Sequence, residues 1–356
     1  MNLSSKMIDP IFQAPRAPSM QPSSRKGIEF TVFMGSQTGD IVETTHCRDE
    51  PTGTQVLVKI SHSGICGTDE HFRHVDMVLG HEGIGSVVQI GDRVTQFKIG
   101  DIVGWGFTHK TCGMCEQCLV GQDQYCPYKE MYGINNLDQG SHGSHAIWEQ
   151  AYLFRIPDGL APEHAAPLMC GGATVFEVIE LYGIRPTDRV GVIGVGGLGH
   201  LAIQFLAKMG ATVVVFSHTD SKRGDAMNLG ASEFYATAGV EDFDIPPLDH
   251  LMVTMSSLPD WKPFLPIMKP KASIYAITID LGNIVLPSLS VVSKGLRFQG
   301  SVGVARSVYE RMFEFAVRNR VLPVIETFPL TRRGVEEGMR WLREGKMRYR
   351  GVLVAP

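Results

Sequence analysis

The sequence has 356 residues, 44% of them hydrophobic and 20% charged, with a formal net charge of −4. That length exceeds one typical core and suits two domains. The slight negative charge offers no footprint for nucleic acid or an anionic membrane, and no stretch reaches the roughly 18 uncharged apolar residues of a membrane span.

Met1 to Lys26 is rich in Pro and Ser. It lacks the apolar run of a secretory signal and the Arg-rich pattern of a transit peptide, so a flexible arm and a cytoplasmic location are expected. Strand patterns follow at Glu29–Met34, Gln55–Ser61, Gly83–Ile90 and Ile102–Gly104, punctuated by Gly91-Asp92 and Gly100-Asp101. From Ala165 the pattern changes. A helix is expected over Ala173–Tyr182, then strand Arg189–Val195, helix Gly197–Met209, strand Thr212–Ser217 and helix Ser221–Leu229. His250–Met255, Ala272–Thr278 and Leu296–Ser301 read as further strands, and the alternation predicts βαβ units with a parallel sheet. Ser307–Asn319 and Arg333–Glu344 read as helices, and Arg350–Val354 as a closing strand.

Gly194, Gly196 and Gly199 form G-x-G-x-x-G between an apolar strand and a helix, with Gly197 and Leu198 inside the loop. Such glycines permit a tight turn and close approach of a pyrophosphate, which the free N–H groups of the following helix can bind. An NAD enzyme usually carries Asp or Glu at the end of the second strand. Here that residue is Ser217, followed by His218, Lys222 and Arg223. A small hydroxyl with nearby cations suits the 2′-phosphate of NADP(H), with Asp220 expected to cap the next helix and point away.

Seven cysteines are present, and Cys112, Cys115, Cys118 and Cys126 crowd into fifteen residues. Four thiolates at this spacing predict a closed tetrahedral zinc site, structural because no position is left for substrate. Cys47 stands alone and reads as packing. Cys66, His81 and Cys170 have the Cys2His composition of a catalytic zinc, although their separation in sequence does not by itself unite them.

Gly64-Ile-Cys-Gly-Thr-Asp69, Gly80-His-Glu-Gly83, the four-cysteine lobe, Met169-Cys-Gly-Gly-Ala-Thr174, Gly194-Val-Gly-Gly-Leu-Gly-His200 and Arg348-Tyr-Arg350 occur together. In this combination the sequence resembles the zinc-containing medium-chain dehydrogenases/reductases, in their cinnamyl alcohol dehydrogenase-like branch. The resemblance runs from about Gln55 to Val354. It implies an α/β chain: a β-rich GroES-like catalytic domain (1–170 and 305–356) plus a doubly wound Rossmann nucleotide domain (171–304). It implies two zinc ions per chain, NADP(H), and usually a homodimer joined through the nucleotide domains.

By the same resemblance, Cys66, His81 and Cys170 match the catalytic zinc ligands, and Glu82 the glutamate that can approach the metal transiently. Thr68 matches the hydroxyl bonded to the substrate alcohol, His71 the histidine passing its proton onward, and Asp69 an acid behind the zinc site. Thr174 matches a residue beside the cofactor, and Ser217, His218 and Lys222 the NADP-selecting corner. The implied reaction interconverts a primary alcohol and an aldehyde, aromatic or allylic ones among the candidates. Alternatives are a zinc-dependent reductase of an activated C=C bond or iminium, and a catalytically silent nucleotide-binding redox sensor. Two departures concern the substrate cleft: Gly67 stands where many relatives have His or Ser, and the Phe72–Leu79 segment is short.

Overall fold

A computed structural model describes residues 27–280 and 282–356; the arm expected at Met1–Lys26 lies outside the described residues. Two large sheets organise the rest. The first has the spatial order Ile325–Pro329, Arg350–Val354, Gln55–Ile65, Gly83–Ile90, Ile102–Trp105, Phe154–Arg155, and His145–Glu149 also pairs with Gln55–Ile65. All its pairings are antiparallel except the one between Ile325–Pro329 and Arg350–Val354. Val56, Val58, Ile60, Val103, Trp105 and Trp148 meet in its core. The central strand runs on to Ile65, four residues past the expected Ser61, because Arg350–Val354 pairs with His62–Ile65. That partner lies almost 300 residues away and leaves no local trace.

The second sheet is wholly parallel, in the spatial order Glu233–Ala236, Thr212–Ser217, Arg189–Ile193, Leu248–Val253, Met268–Ala276, Arg297–Gly300. Counted along the chain, this is order 3-2-1-4-5-6, the doubly wound arrangement whose crevice lies at the carboxyl ends of the first strands. Val192 sits opposite Val215 on one side and Met252 on the other. Its central strands are apolar runs, since helices cover both faces of such a sheet. The expected helix from Gly197 begins at Gly199, because the glycine loop stays unwound. It ends at Gly210, whose φ of 104° is left-handed.

Several elements carry no periodic signal, among them His145–Glu149, Glu233–Ala236 and Ile325–Pro329. Val42–Arg48 pairs with Ile28–Met34 but is mostly exposed, so it carries no apolar alternation. Leu168–Gly172, for which no element is expected, is a π-helical turn between helices Pro162–Pro167 and Ala173–Leu181. Such turns are frequent at functional sites.

Candidate active site and nucleotide crevice

Cys66 closes the central strand of the first sheet and serves as N-cap of the short helix Gly67–Phe72. Asp69, three residues on, accepts the Cys66 amide N–H on Oδ2 at 2.9 Å. Its other oxygen, Oδ1, accepts His81 Nδ1 at 2.9 Å, the Tyr132 hydroxyl at 3.0 Å and the Gly80 amide at 3.2 Å. Asp69 is fully buried, and a buried carboxylate needs such donors to stay charged. With Nδ1 committed to Asp69, His81 presents Nε2, which is buried and has no hydrogen-bond partner.

That nitrogen faces the thiols. Cys170 arrives on the π-helical turn, and Tyr309 fastens the turn by donating its hydroxyl to the Met169 carbonyl at 3.0 Å. Ligand atoms of Cys66, His81, Glu82 and Cys170 all lie within 4.8 Å of one another. Burial pushes the Glu82 carboxyl up to about 7, opposed by the Arg350 guanidinium that bonds it. An orphaned imidazole nitrogen between two thiols and a carboxylate suits a Zn²⁺ ion, which takes S and N ligands tetrahedrally. Its Nδ1 partner supplies the acid that metal-bound histidines ordinarily have behind them.

Thr68 Oγ1 lies 3.8 Å from Cys66 Sγ, on the same side as the cluster. His71 is on the last turn of that helix, exposed to solvent. Gly67 opens onto free space, with no atom within 4 Å of where a Cβ would stand. The short segment after the helix turns back at once. Leu79 pairs with Phe33 at 2.9 Å, and Glu70 is held by Arg73 and Arg343.

The second cluster is the lobe carried on the paired strands Thr108–Lys110 and Glu130–Met131. Cys115 and Cys118 sulfurs are 3.6 Å apart, Cys126 and Cys112 3.6 Å, Cys112 and Cys118 4.0 Å. A disulfide would require about 2.05 Å. Zn–S bonds of about 2.3 Å in a tetrahedron place sulfurs about 3.8 Å apart. The amides of Met114 and Cys115 bond the Cys112 sulfur and bring its thiol down to about 6, toward the thiolate that a metal needs.

The nucleotide loop lies between strand Arg189–Ile193 and helix Gly199–Met209. Gly194 has φ +97°, and a Cβ on Gly199 would stand 1.9 Å from the Gly194 carbonyl oxygen. Gly196 opens onto free space, and Gly197 borders the Arg350 side chain, with Leu198 partly buried between them and the helix. A cradle that bare at a helix N-terminus fits a pyrophosphate. Thr174, half-buried, opens the helix that follows Cys170.

At the second strand end Ser217 is half-buried and His218 exposed. Lys222 reaches back to the loop, its Nζ 2.7 Å from the Val195 carbonyl oxygen and over the Tyr349 ring. Here the structure corrects one expectation. Asp220 lies in a short 3-10 turn, Asp220–Lys222, while Lys222 takes the cap position of helix Arg223–Asn228, and Asp220 bonds Arg223 at 2.9 and 2.6 Å. Arg223 also donates to the Phe234 carbonyl, so its charge is directed away from the corner. A carboxylate three residues before an arginine on one turn finds it more readily than it finds the backbone.

Three contributors have no role legible in the sequence. Arg350 was visible only as part of a motif. Tyr132 and Tyr309 stand in no motif.

Residues 52–158 match the family described as alcohol dehydrogenase GroES-like domain, and residues 197–318 the family described as zinc-binding dehydrogenase. A probable cinnamyl alcohol dehydrogenase of Populus deltoides is 30% identical over 332 residues, covering 89% of this chain and 92% of its own. The chain belongs to the zinc-containing medium-chain dehydrogenase/reductase family, cinnamyl alcohol dehydrogenase-like branch. Another member of this family, an NADP-dependent alcohol dehydrogenase C of Mycolicibacterium smegmatis, is 31% identical, covering 89% of this chain and 95% of its own. A solved cinnamyl alcohol dehydrogenase of Sorghum bicolor superposes with a TM-score of 0.84 at 27% identity, covering 92% and 98% of the two chains. The chain is thus a medium-chain oxidoreductase of alcohol dehydrogenase type, with GroES-like and Rossmann parts. Among the described residues no helix is long and apolar enough to cross a membrane.

Proposed function

We propose that this dehydrogenase is an NADP(H)-dependent aldehyde reductase carrying two zinc ions per chain, interconverting a primary alcohol and an aldehyde. The observation that carries the reading is the gathering of Cys66, His81 and Cys170 around the unpartnered Nε2 of His81. These three would hold the catalytic ion, with Glu82 as a transient ligand, and Cys112, Cys115, Cys118 and Cys126 would hold the structural one. When bound, zinc supplies Lewis-acid polarisation of the substrate oxygen, and the nicotinamide supplies or accepts the hydride.

The chain's own residues then bind, orient and move a proton. Thr68, beside Cys66, hydrogen-bonds the substrate oxygen and relays its proton. His71, exposed on the same helix, exchanges that proton with solvent. Asp69 holds the His81 ring in one orientation. Gly194, Gly196, Gly197, Leu198 and Gly199 cradle the pyrophosphate, and Thr174 lies beside the cofactor. Ser217, His218 and Lys222 favour the 2′-phosphate, in keeping with the NADP-dependent mycobacterial relative. A homodimer is supported by the exposed edge strand Arg297–Gly300 together with exposed Val285, Leu289 and Val292, which precede it in the chain.

The test is steady-state turnover of the zinc-loaded protein with NADPH and a panel of aromatic, aliphatic and α,β-unsaturated aldehydes, followed by product analysis. Alcohol products support the reading. Saturated aldehydes formed with the carbonyl untouched would overturn it in favour of a C=C reductase.

A further inference from the structure

The described molecule contains one fully buried phenol bonded to the acid behind the metal cluster. Tyr132 donates its hydroxyl to Asp69 Oδ1 at 3.0 Å and accepts the Gly80 amide N–H at 2.9 Å. Its ring lies 5.0 Å from the His81 ring at 32° and is met edge-on by Phe72 at 5.5 Å and by Phe107 at 5.9 Å. Tyr132 therefore touches the acid, the residue before His81, and the face of His81 itself. It reaches them from the base of the other cluster. Glu130–Met131, which ends at its door, is one of the two strands carrying the four-cysteine lobe, and the Tyr132 amide bonds the Phe107 carbonyl beside the other strand at 2.9 Å.

We propose that Tyr132 is a positioning residue of the catalytic metal site, delivered there by the four-cysteine lobe, which thereby sets the orientation of His81. The inference rests on the reading of Cys66, His81 and Cys170 as ligands. The physical case is geometric. Asp69 Oδ1 accepts three donors, and only the one from Tyr132 comes from outside the Cys66–Gly83 segment. Without that hydroxyl the carboxylate keeps only donors from its own segment, the Cys66 and Gly80 amides and His81, and the Gly80 amide is left with its 3.2 Å bond to Asp69 alone. The imidazole is then held by an acid with one anchor fewer, the anchor that came from the lobe. Partners standing behind metal ligands in this way typically change metal affinity by about 10- to 100-fold when removed. A lobe without substrate access thus acquires a second task besides stability.

Tyr132→Phe keeps the ring and its packing while deleting the hydroxyl. The measurement is the rate at which zinc-loaded full-length protein loses its catalytic zinc to a chromophoric chelator, alongside the visible spectrum after Co²⁺ replaces that ion. The expected result is zinc loss faster by about 10- to 100-fold and a shifted cobalt ligand-field band, with the melting temperature little changed. Asp69→Asn is expected to do the same, and the double variant no more than either alone, because both break one chain of contacts. Zinc loss and cobalt spectrum of Tyr132→Phe matching the wild type would overturn the proposal. Wild-type protein that binds no metal at Cys66 would overturn it together with the reading beneath it, and that case is separated by the wild-type cobalt spectrum alone.

Discussion

Arg350, the first residue of the closing strand, donates from its guanidinium to the carboxylate of Glu82, the residue next to His81. Both side chains are buried, and the Arg350 stem also borders Gly197 in the nucleotide loop. One cation therefore stands between the proposed zinc site and the proposed pyrophosphate cradle. Glu82 Oε2 is left without a hydrogen-bond partner.

Arg350→Met is expected to strand Glu82 as an unpaired buried carboxylate. Breaking such a pair from one side typically costs about 3–5 kcal/mol. Adding Glu82→Gln should return part of that loss. Urea unfolding of the zinc-loaded proteins measures it; a loss below about 1 kcal/mol in the single variant would mean that water or another cation takes over.

Metal content separates the two clusters. Fresh wild-type protein should contain two zinc ions per chain by elemental analysis. Cys66→Ser should contain one, with turnover abolished and the fold kept. Cys115→Ser should lose the lobe ion and fold poorly, because a structural zinc contributes folding free energy directly. One zinc or none in active wild-type enzyme contradicts the assignment.

Thr68→Ala should lower kcat by about 100- to 10,000-fold, the usual range for a general acid–base contribution. His71→Ala should lower it less, since His71 is exposed and water can substitute. Wild-type turnover in Thr68→Ala would show that the proton leaves by another route.

Cofactor choice tests the second strand end. Ser217→Asp should repel a 2′-phosphate and narrow or reverse a preference for NADPH in kcat/KM. Lys222→Ala should raise KM for NADPH more than for NADH, since a charge-assisted bond is worth roughly 1.5–3 kcal/mol. Arg223→Ala should change little, its guanidinium being taken by Asp220 and the Phe234 carbonyl. Equal wild-type efficiency with NADH would show that this corner does not read the phosphate.

Stability should depend on pH through Glu177. Burial pushes its carboxyl up from 4.5 to about 7, against bonds from the Ala305 amide and Gln124. Because the folded value is the higher one, the folded state holds the extra proton between pH 4.5 and about 7. This group's contribution is therefore most favourable below 4.5 and declines as pH rises to about 7. Glu177→Gln should flatten that slope and stabilise the protein at pH 8 by about 1–3 kcal/mol. The Gln124 amide can turn to suit the new side chain, since its Oε1 has no partner. Denaturant unfolding at pH 5 and pH 8 is the measurement; an unchanged slope would assign the pH dependence elsewhere.

By itself the sequence determined what a few contiguous residues can enforce. Cys112 to Cys126 are close along the chain, so their spacing alone brings four sulfurs to one lobe. Gly194 and Gly199 face each other across one turn, and the apolar runs around them specify a parallel sheet. The gathering of Cys66, His81 and Cys170 could be expected only through the family's pattern, because each sits on a different element. Tertiary structure decided the contacts whose partners lie far apart: Arg350 with Glu82, Tyr132 with Asp69, Tyr309 with the Met169 carbonyl. It also joined Arg223 to the Phe234 carbonyl, whereas its pairing with Asp220 is local. The division follows from the range of the forces involved. Turn sterics and short-loop closure act within a few residues and are written in local order, whereas a buried hydrogen bond or ion pair is specified only once packing has excluded water and brought distant segments together.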